Sequence, residues 1–394
     1  MELLANETTL NQVAPLVEYA FNKSASVTSD PHFMNRYRHA WLYGHYTDGV
    51  LSNFVMANQF HVAFHGESLP MAGIGYVASL PEFRGKGEMT HLFRDLLADL
   101  QAKEVILAEL APFSQGFYRR FGFESTIWQK HYQVATKEWR LQKQAATSSI
   151  RRGTFRDSQL LAAVKKLWLQ QSQQKAEAGS ILREEWWWQH KATYKGGQEL
   201  AVSYDLQNDQ QATGYVLYRR LGSRLVVDEL VSQNETAVYD LLAFIGAHVS
   251  SFDTIELVAN LHQWFEWYFV EQDALTITLQ PYMMTRIINF PALLQKWFKT
   301  TAAVTVTFEV TADPCCPWNV GCWKVKQENG AVSVDQATEQ ASVTLSGDIA
   351  AWTNLFFGQQ TLDQLLACQQ LVGSANEDLN AQFSKKTHAF YDYF

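Results

Sequence analysis

The run Ser79-Leu80-Pro81-Glu82-Phe83-Arg84-Gly85-Lys86-Gly87-Glu88-Met89 places two glycines and two cations just ahead of a helical pattern. The first turn of a helix leaves backbone N–H groups without partners, and its dipole favours an anion there. Glycine at 85 and 87 lets the chain approach such an anion closely, while Arg84 and Lys86 add positive charge. The chemistry this arrangement suits is holding a pyrophosphate. A plain strand-to-helix turn would use the same glycines, and neither the Walker nor the dinucleotide-binding glycine spacing is present.

No His–Asp pair or paired carboxylate lies near this run to serve as a base, and no cysteine lies in it to form an acyl-enzyme. Cys315, Cys316 and Cys322 cluster, but no paired cysteine or histidine completes a tetrahedral zinc set nearby. They read as reduced structural thiols, and no metal is expected.

The elements around the run form a βαβ unit. Val50–Met56 and Gln59–Phe64 are predicted as neighbouring strands across a turn at Ala57-Asn58, and Met71–Ser79 as a third strand. A helix is predicted from near Gly87, with Met89, Leu92, Phe93, Leu96, Leu97 and Leu100 on one face. Val105–Leu110 follows as a strand parallel to the one before the helix. Polar residues between Lys137 and Arg152 read as a linker.

The order then repeats: strands Ala212–Tyr218 and Arg224–Val231, a helix carrying Val238, Leu241, Leu242, Ile245 and Val249, and strand Thr254–Val258. Ser232-Gln233-Asn234-Glu235 stands where Arg84–Gly87 stands in the first copy, so the second copy is expected to bind no phosphate. From about Arg286 the pattern becomes a small α+β domain. Its predicted strands are Val304–Val310, Cys322–Val325 and Ala341–Leu345, before a helix with Ala351, Leu355 and Phe356. Four aromatics in the last five residues imply a buried tail.

Length and composition fit this organisation. At 394 residues two or three domains are expected, and 47% hydrophobic with 18% charged residues marks a globular chain. The abundant aromatics suit large cores and subunit contacts. A net charge of −8 argues against a nucleic-acid partner and is compatible with a cationic substrate. Residues Met1–Glu7 lack the pattern of a signal peptide, and no apolar run is long enough to span a bilayer, so the expected setting is the cytoplasm, with no membrane partner.

Arg84-x-x-Gly87-x-Met89 resembles the pyrophosphate signature of the GNAT acetyltransferases, with Met89 in place of a small final residue. The run Ala111-Pro112-Phe113-Ser114-Gln115-Gly116-Phe117-Tyr118-Arg119-Arg120-Phe121-Gly122-Phe123-Glu124 is similar to the segment that closes many GNAT domains. Together they resemble the Eis (enhanced intracellular survival) family. That resemblance implies a mixed α+β chain of two tandem GNAT domains, the second degenerate, and a sterol-carrier-like domain. The boundaries expected are 1–140, 141–285 and 286–394.

The resemblance also implies roles. Val77, Ala78 and Ser79 would hold pantetheine and polarise the thioester of acetyl-CoA. Arg84, Gly85, Lys86, Gly87, Glu88 and Met89 would hold its phosphates. Tyr118 would be the general acid, Ser114 would help place the thioester, and the carboxylate of Phe394 would act on the amine. A packing role is open for Tyr118, and a tail tucked into an interface for Phe394. The implied activity is direct N-acetylation of a primary amine, such as an aminoglycoside or polyamine-like cation, by a homo-oligomer, possibly a homohexamer. The alternatives are a non-catalytic acyl-CoA or lipid-binding protein and a protein-lysine acetyltransferase.

Overall fold

The computed structural model describes residues 1–144, 148–174, 177–207, 211–298, 304–328, 330–337, 343–375, 377–383 and 388–394. The chain forms two compact units. One comprises Met1–Ile127, Tyr282–Lys386 and Tyr393–Phe394, and the other Trp128–Pro281 and Thr387–Asp392. Position 285, where a boundary is expected, lies inside the strand Thr276–Ile287.

In the first unit, β1 (Glu2–Leu3), β2 (Ala40–Thr47), β3 (Val50–Phe64), β4 (Glu67–Ser79) and β5 (Leu107–Leu110) lie side by side in that order. Helices α1 (Glu7–Ala20), α2 (Pro31–Arg38), α3 (Glu88–Ala102) and α4 (Gln115–Arg119) pack around them. On α3, Leu92, Phe93, Leu96, Leu97 and Leu100 are all buried, as their spacing predicts. Residues Met284–Ile287 complete the sheet by pairing antiparallel with β5.

One element differs from the sequence reading. Residues 50–64 are a single strand, and Ala57-Asn58 is no turn. Asn58 is fully buried, its amide donating to the carbonyls of Arg36 at 2.8 Å and His39 at 3.3 Å, so hydrogen bonds offset the cost of a polar residue inside the sheet. The reversals fall at Asp48-Gly49 and His65-Gly66, where both residues of each pair have positive φ. That is the type I′ geometry favoured by the twist of the flanking strands.

The same unit carries a five-stranded sheet in the order Ala331–Gln336, Gly321–Glu328, Val304–Val310, Leu345–Gly347, Leu371–Gly373. The helix Ile349–Phe357 follows Leu345–Gly347. Of the strand expected at Ala341–Leu345, Ala341 and Ser342 lie outside the described residues. Cys315 and Cys316 are buried free thiols. Arg286 and Asp313, both fully buried, form an ion pair at 2.6 Å beside the first sheet.

The second unit holds a sheet in the order Gln129–Ala135, Thr254–Asn260, Arg224–Ser232, Ala212–Leu221, Glu199–Asp205, Ser148–Thr154. Residues Gln129–Ala135 supply its strand beside Thr254–Asn260. Part of the expected linker is therefore a strand, Ser148–Thr154, paired along Glu199–Asp205, while 145–147 lie outside the described residues. The helix Glu235–Gly246 is capped by the Asn234 side chain, which accepts from the Ala237 N–H. A helix start that satisfies its own donors has less to offer an anion.

A charged cluster sits in the core of this unit. The Arg183 side chain, at zero exposure, binds Glu229 at 2.8 and 2.9 Å and Asp392 at 3.0 Å, with Lys191 at 3.0 Å from Glu229. Tyr215 and Trp187 donate to Glu229 and Asp392 respectively. Two cations and two anions balance only as a set. Asp392→Ala should therefore lower this unit's stability by about 3–5 kcal/mol in urea unfolding, and Asp392→Asn by less. Among the described residues, no helix is long and apolar enough to cross a membrane.

Candidate active site

Pairing between β4 and β5 is parallel and runs only from Met71–Leu107 to Ile74–Leu110. Beyond it β4 continues through Gly75–Ser79 while the chain leaves β5 at Ala111. The strands part there, and both edges line a cavity of about 890 Å³. Such a volume accommodates a sizeable ligand.

Within the opening β4 carries a bulge. Phe54 pairs with Ala78 and Met56 with Gly75, so Tyr76 and Val77 stand opposite the single residue Val55. Tyr76 takes φ +48°, a conformation that costs an L-residue about 1–2 kcal/mol. Its surroundings hold it there. Phe21 and Phe33 meet its ring edge-on at 5.4 and 5.0 Å, and the Arg36 guanidinium lies 4.7 Å from its centre.

At one end of the cavity α3 begins at Gly87, which has φ +84° and provides no side-chain cap. Gly85 has φ +79°, and space is open around both glycines. Arg84 Nε donates to the Ser79 carbonyl at 3.2 Å and lines the cavity. An uncapped helix start preceded by two glycines and flanked by a cation is a fitting seat for a phosphate. Gly87→Val should force a left-handed β-branched residue into this turn. The expected result is at least a tenfold rise in the dissociation constant of a bound pyrophosphate-bearing ligand, read by calorimetry.

The remaining residues of the run divide. Val77, Ala78, Ser79, Gly87, Glu88 and Met89 line the cavity, whereas Lys86 does not and lies 5.0 Å from the ring of Phe83. The Glu88 carboxylate accepts from Thr47 at 3.0 Å, Ser52 at 3.1 Å and Asn53 at 2.7 Å. Desolvation pushes its pKa up, but these hydrogen bonds outweigh that and hold it below the ordinary value. What Glu88 offers a phosphate is thus its backbone N–H, and its side chain ties α3 to β2 and β3. Asn53 also accepts from the Ser79 hydroxyl, extending that tie to β4. Met89 fills part of the lining and packs against the core.

Tyr118 sits on α4, lines the cavity and is 2% exposed. Its ring contacts Phe93, Phe113, Phe117 and Phe123. Among the described residues its hydroxyl makes no hydrogen bond. Desolvation by burial, with a smaller effect of Tyr393, pushes its pKa well above that of a free phenol. Ser114 lies outside the lining and caps α4, accepting from the Phe117 N–H at 3.3 Å.

Phe394 lines the same cavity and is 4% exposed. Its ring lies 5.3 Å from that of Phe60. A Cβ placed on Gly75 would meet Arg36 Nη2 at 2.2 Å and the carboxyl carbon of Phe394 at 3.1 Å, so glycine is required for all three to converge. Arg36, buried on α2, donates from Nε to Asn58 Oδ1 at 2.8 Å. Local spacing in the sequence does not nominate Arg36 or Asn53. The signal that was there is Asp30-Pro31, a cap followed by proline at the first helical position, which starts α2.

The chain matches the acetyltransferase (GNAT) domain over residues 4–126 and again over 179–287, and a sterol carrier protein domain over 291–391. No curated protein matches its sequence. Among solved structures it is 30% identical to a conserved protein of unknown function from Enterococcus faecalis V583, described as a probable N-acyltransferase. That match covers 100% of this chain and 99% of the other, with a TM-score of 0.87. A GCN5-related N-acetyltransferase from Anabaena variabilis shares the fold at 20% identity, full coverage of both chains and TM-score 0.83. Eis1 from Mycobacterium abscessus does so at 18%, with 99% of each chain covered and TM-score 0.77. With the opened strands, the bare helix start and these matches in hand, the chain belongs to the GNAT acetyltransferases, as an N-acetyltransferase of two GNAT domains and a sterol carrier protein domain.

Proposed function

We propose that the protein transfers an acetyl group from acetyl-CoA directly to a primary amine, as a member of the Eis-like branch of its family. The observation that carries this is one cavity that holds the parted strand of Val77–Ser79, the uncapped start of α3, Tyr118 and Phe394. GNAT acetyltransferases generally use acetyl-CoA, which supplies its acetyl group as an activated thioester. Gly85, Gly87 and the N–H groups of Glu88 and Met89 suit its phosphates, with Arg84 beside them. Backbone N–H groups of Val77–Ser79 polarise the carbonyl, an effect worth a few kcal/mol where donors are preorganised.

The proton balance is simple. The Phe394 carboxylate takes one proton from the amine, directly or through a water, as the N–C bond forms. Tyr118 gives one proton to sulfur as the C–S bond breaks, leaving an N-acetyl amine and a free thiol. No cysteine lines the cavity among the described residues, which favours direct transfer over an acyl-enzyme. Thiol release from acetyl-CoA should rise well above background on adding amines and yield the N-acetyl product by mass spectrometry. Release that no amine accelerates would leave only a binding protein.

A further inference from the structure

We infer that the second unit serves the reaction as a clamp for the chain's tail, and that Asp392 is a positioning residue which acts through the carboxylate of Phe394. This rests on the transferase reading above. The chain passes from the second unit to the first between Asp392 and Tyr393. Chain ends ordinarily fray. Here His388, Ala389, Phe390, Tyr391 and Asp392 are all buried, and each is hydrogen-bonded within the second unit. His388 donates from Nδ1 to the Ala178 carbonyl, and the Ala389 N–H donates to Glu177 at 3.1 Å. The Phe390 carbonyl accepts from Gln129 at 3.0 Å. The Tyr391 hydroxyl donates to Gln263 at 2.7 Å, and Asp392 accepts from Arg183 at 3.0 Å and Trp187 at 2.8 Å.

Apolar packing alone would tolerate a slipped tail, because Phe390, Tyr391, Tyr393 and Phe394 are all aromatic. The charges do not tolerate it. Sliding the tail by one residue would put Tyr391 or Tyr393 where Asp392 stands, and leave Arg183 and Lys191 to share Glu229. An uncompensated buried cation is strongly destabilising, whereas apolar residues often replace a whole buried ion cluster without loss. What such a cluster contributes is register. Desolvation raises the Asp392 pKa, but Arg183 and Lys191 outweigh it and hold it below the ordinary value, so the pin stays charged at neutral pH.

Only two residues follow the pin, a reach of about 7 Å when extended. A carboxylate so tethered is confined near one position, as a proton acceptor must be to meet an amine. Asp392 itself does not line the cavity. The helix start that would correspond to a donor site in the second unit is capped by Asn234. Holding the tail gives that unit its part in the reaction.

The test uses the full chain and two variants, Asp392→Asn and the milder Tyr391→Phe, whose lost hydroxyl leaves Gln263 its bond from the Asn260 N–H. Carboxypeptidase A reads the tail directly under native conditions. Release of Phe394 should quicken by about tenfold or more in Asp392→Asn, the effect of one charge-assisted hydrogen bond, and by less in Tyr391→Phe. With a reactive amine, kcat should fall in the same order, by about tenfold or more in Asp392→Asn, with the dissociation constant of acetyl-CoA within about twofold. If Asp392→Asn does not fold, Tyr391→Phe carries each comparison. A double-variant cycle separates positioning from stability. In the chain lacking Phe394, adding Asp392→Asn should lower kcat no further, because the group it positions is already gone. Equal loss in both backgrounds, wild-type turnover in Asp392→Asn, or release of Phe394 at the wild-type rate each overturns the inference and leaves the transferase standing. Full turnover in the chain lacking Phe394 overturns the role of the tail, and this inference with it. A chain that acetylates no amine overturns the transferase reading and the part of Asp392 in it, and the release rates alone then decide whether the tail is clamped.

Discussion

Tyr118→Phe should lower kcat by about 10²–10⁴-fold while leaving the affinity for acetyl-CoA within about twofold, because the variant removes one proton donor and nothing else. Phenylalanine keeps the ring that Phe93, Phe113, Phe117 and Phe123 surround, so the core loses no apolar contact. The hydroxyl has no protein partner among the described residues to leave stranded, so thermal unfolding should be unchanged. Burial also fixes the sign of the pH dependence. A raised phenol pKa means Tyr118 stays protonated as pH climbs through 10, so its loss of a proton produces no fall in kcat below that pH. A variant as fast as wild type would remove Tyr118 as the acid and leave it a packing residue.

Moving the carboxylate of Phe394 should be nearly as costly. Deleting Phe394, or appending residues after it, should cut turnover by about 10²-fold or more with acetyl-CoA binding retained, as expected when a positioned proton acceptor is lost. The ring is held against Phe60, and the carboxyl carbon against Gly75, so the end of the chain has little freedom to readjust. Gly75→Ala tests the same geometry while leaving the tail's own residues unchanged. Its Cβ would fall 2.2 Å from Arg36 Nη2, forcing Arg36 or Phe394 to move, and turnover should fall with it. An α-carboxylate is a weak proton acceptor at neutral pH, which favours relay through water and capture of the amine in its neutral form. Full activity in the extended chain would assign the tail to architecture alone.

The uncapped helix start was legible because it is local. A helix start needs consecutive residues, so Arg84, Gly85 and Gly87 announce it in the order they are used, and the periodicity of Leu92 to Leu100 places the helix behind them. Tyr118 was legible as a candidate acid only as part of a motif, because nothing in its immediate neighbours distinguishes a proton donor from a packing ring. The single strand at residues 50–64 was misread since Ala57-Asn58 looks like a turn until Arg36 and His39 arrive to satisfy the Asn58 amide.

Pattern by itself determined the βαβ unit, its fainter repeat without the glycine turn, and the small α+β segment after it. Those depend on side-chain periods of two and 3.6 and on turn residues, which are properties of neighbours. Tertiary structure decided what depends on distant residues. Met284–Ile287 closes the first sheet beside β5, and Gln129–Ala135 supplies a strand of the other unit's sheet, pairings that only long-range packing selects. Arg36, Gly75 and Phe394 meet across more than 300 residues of chain. The net charge of −8 permits a cationic acceptor, yet the cavity is lined by Lys23, Arg36, Arg84 and Arg120 as well as Glu88. A sum over the chain carries no information about where the charges lie, and recognition is governed by the few that face the ligand.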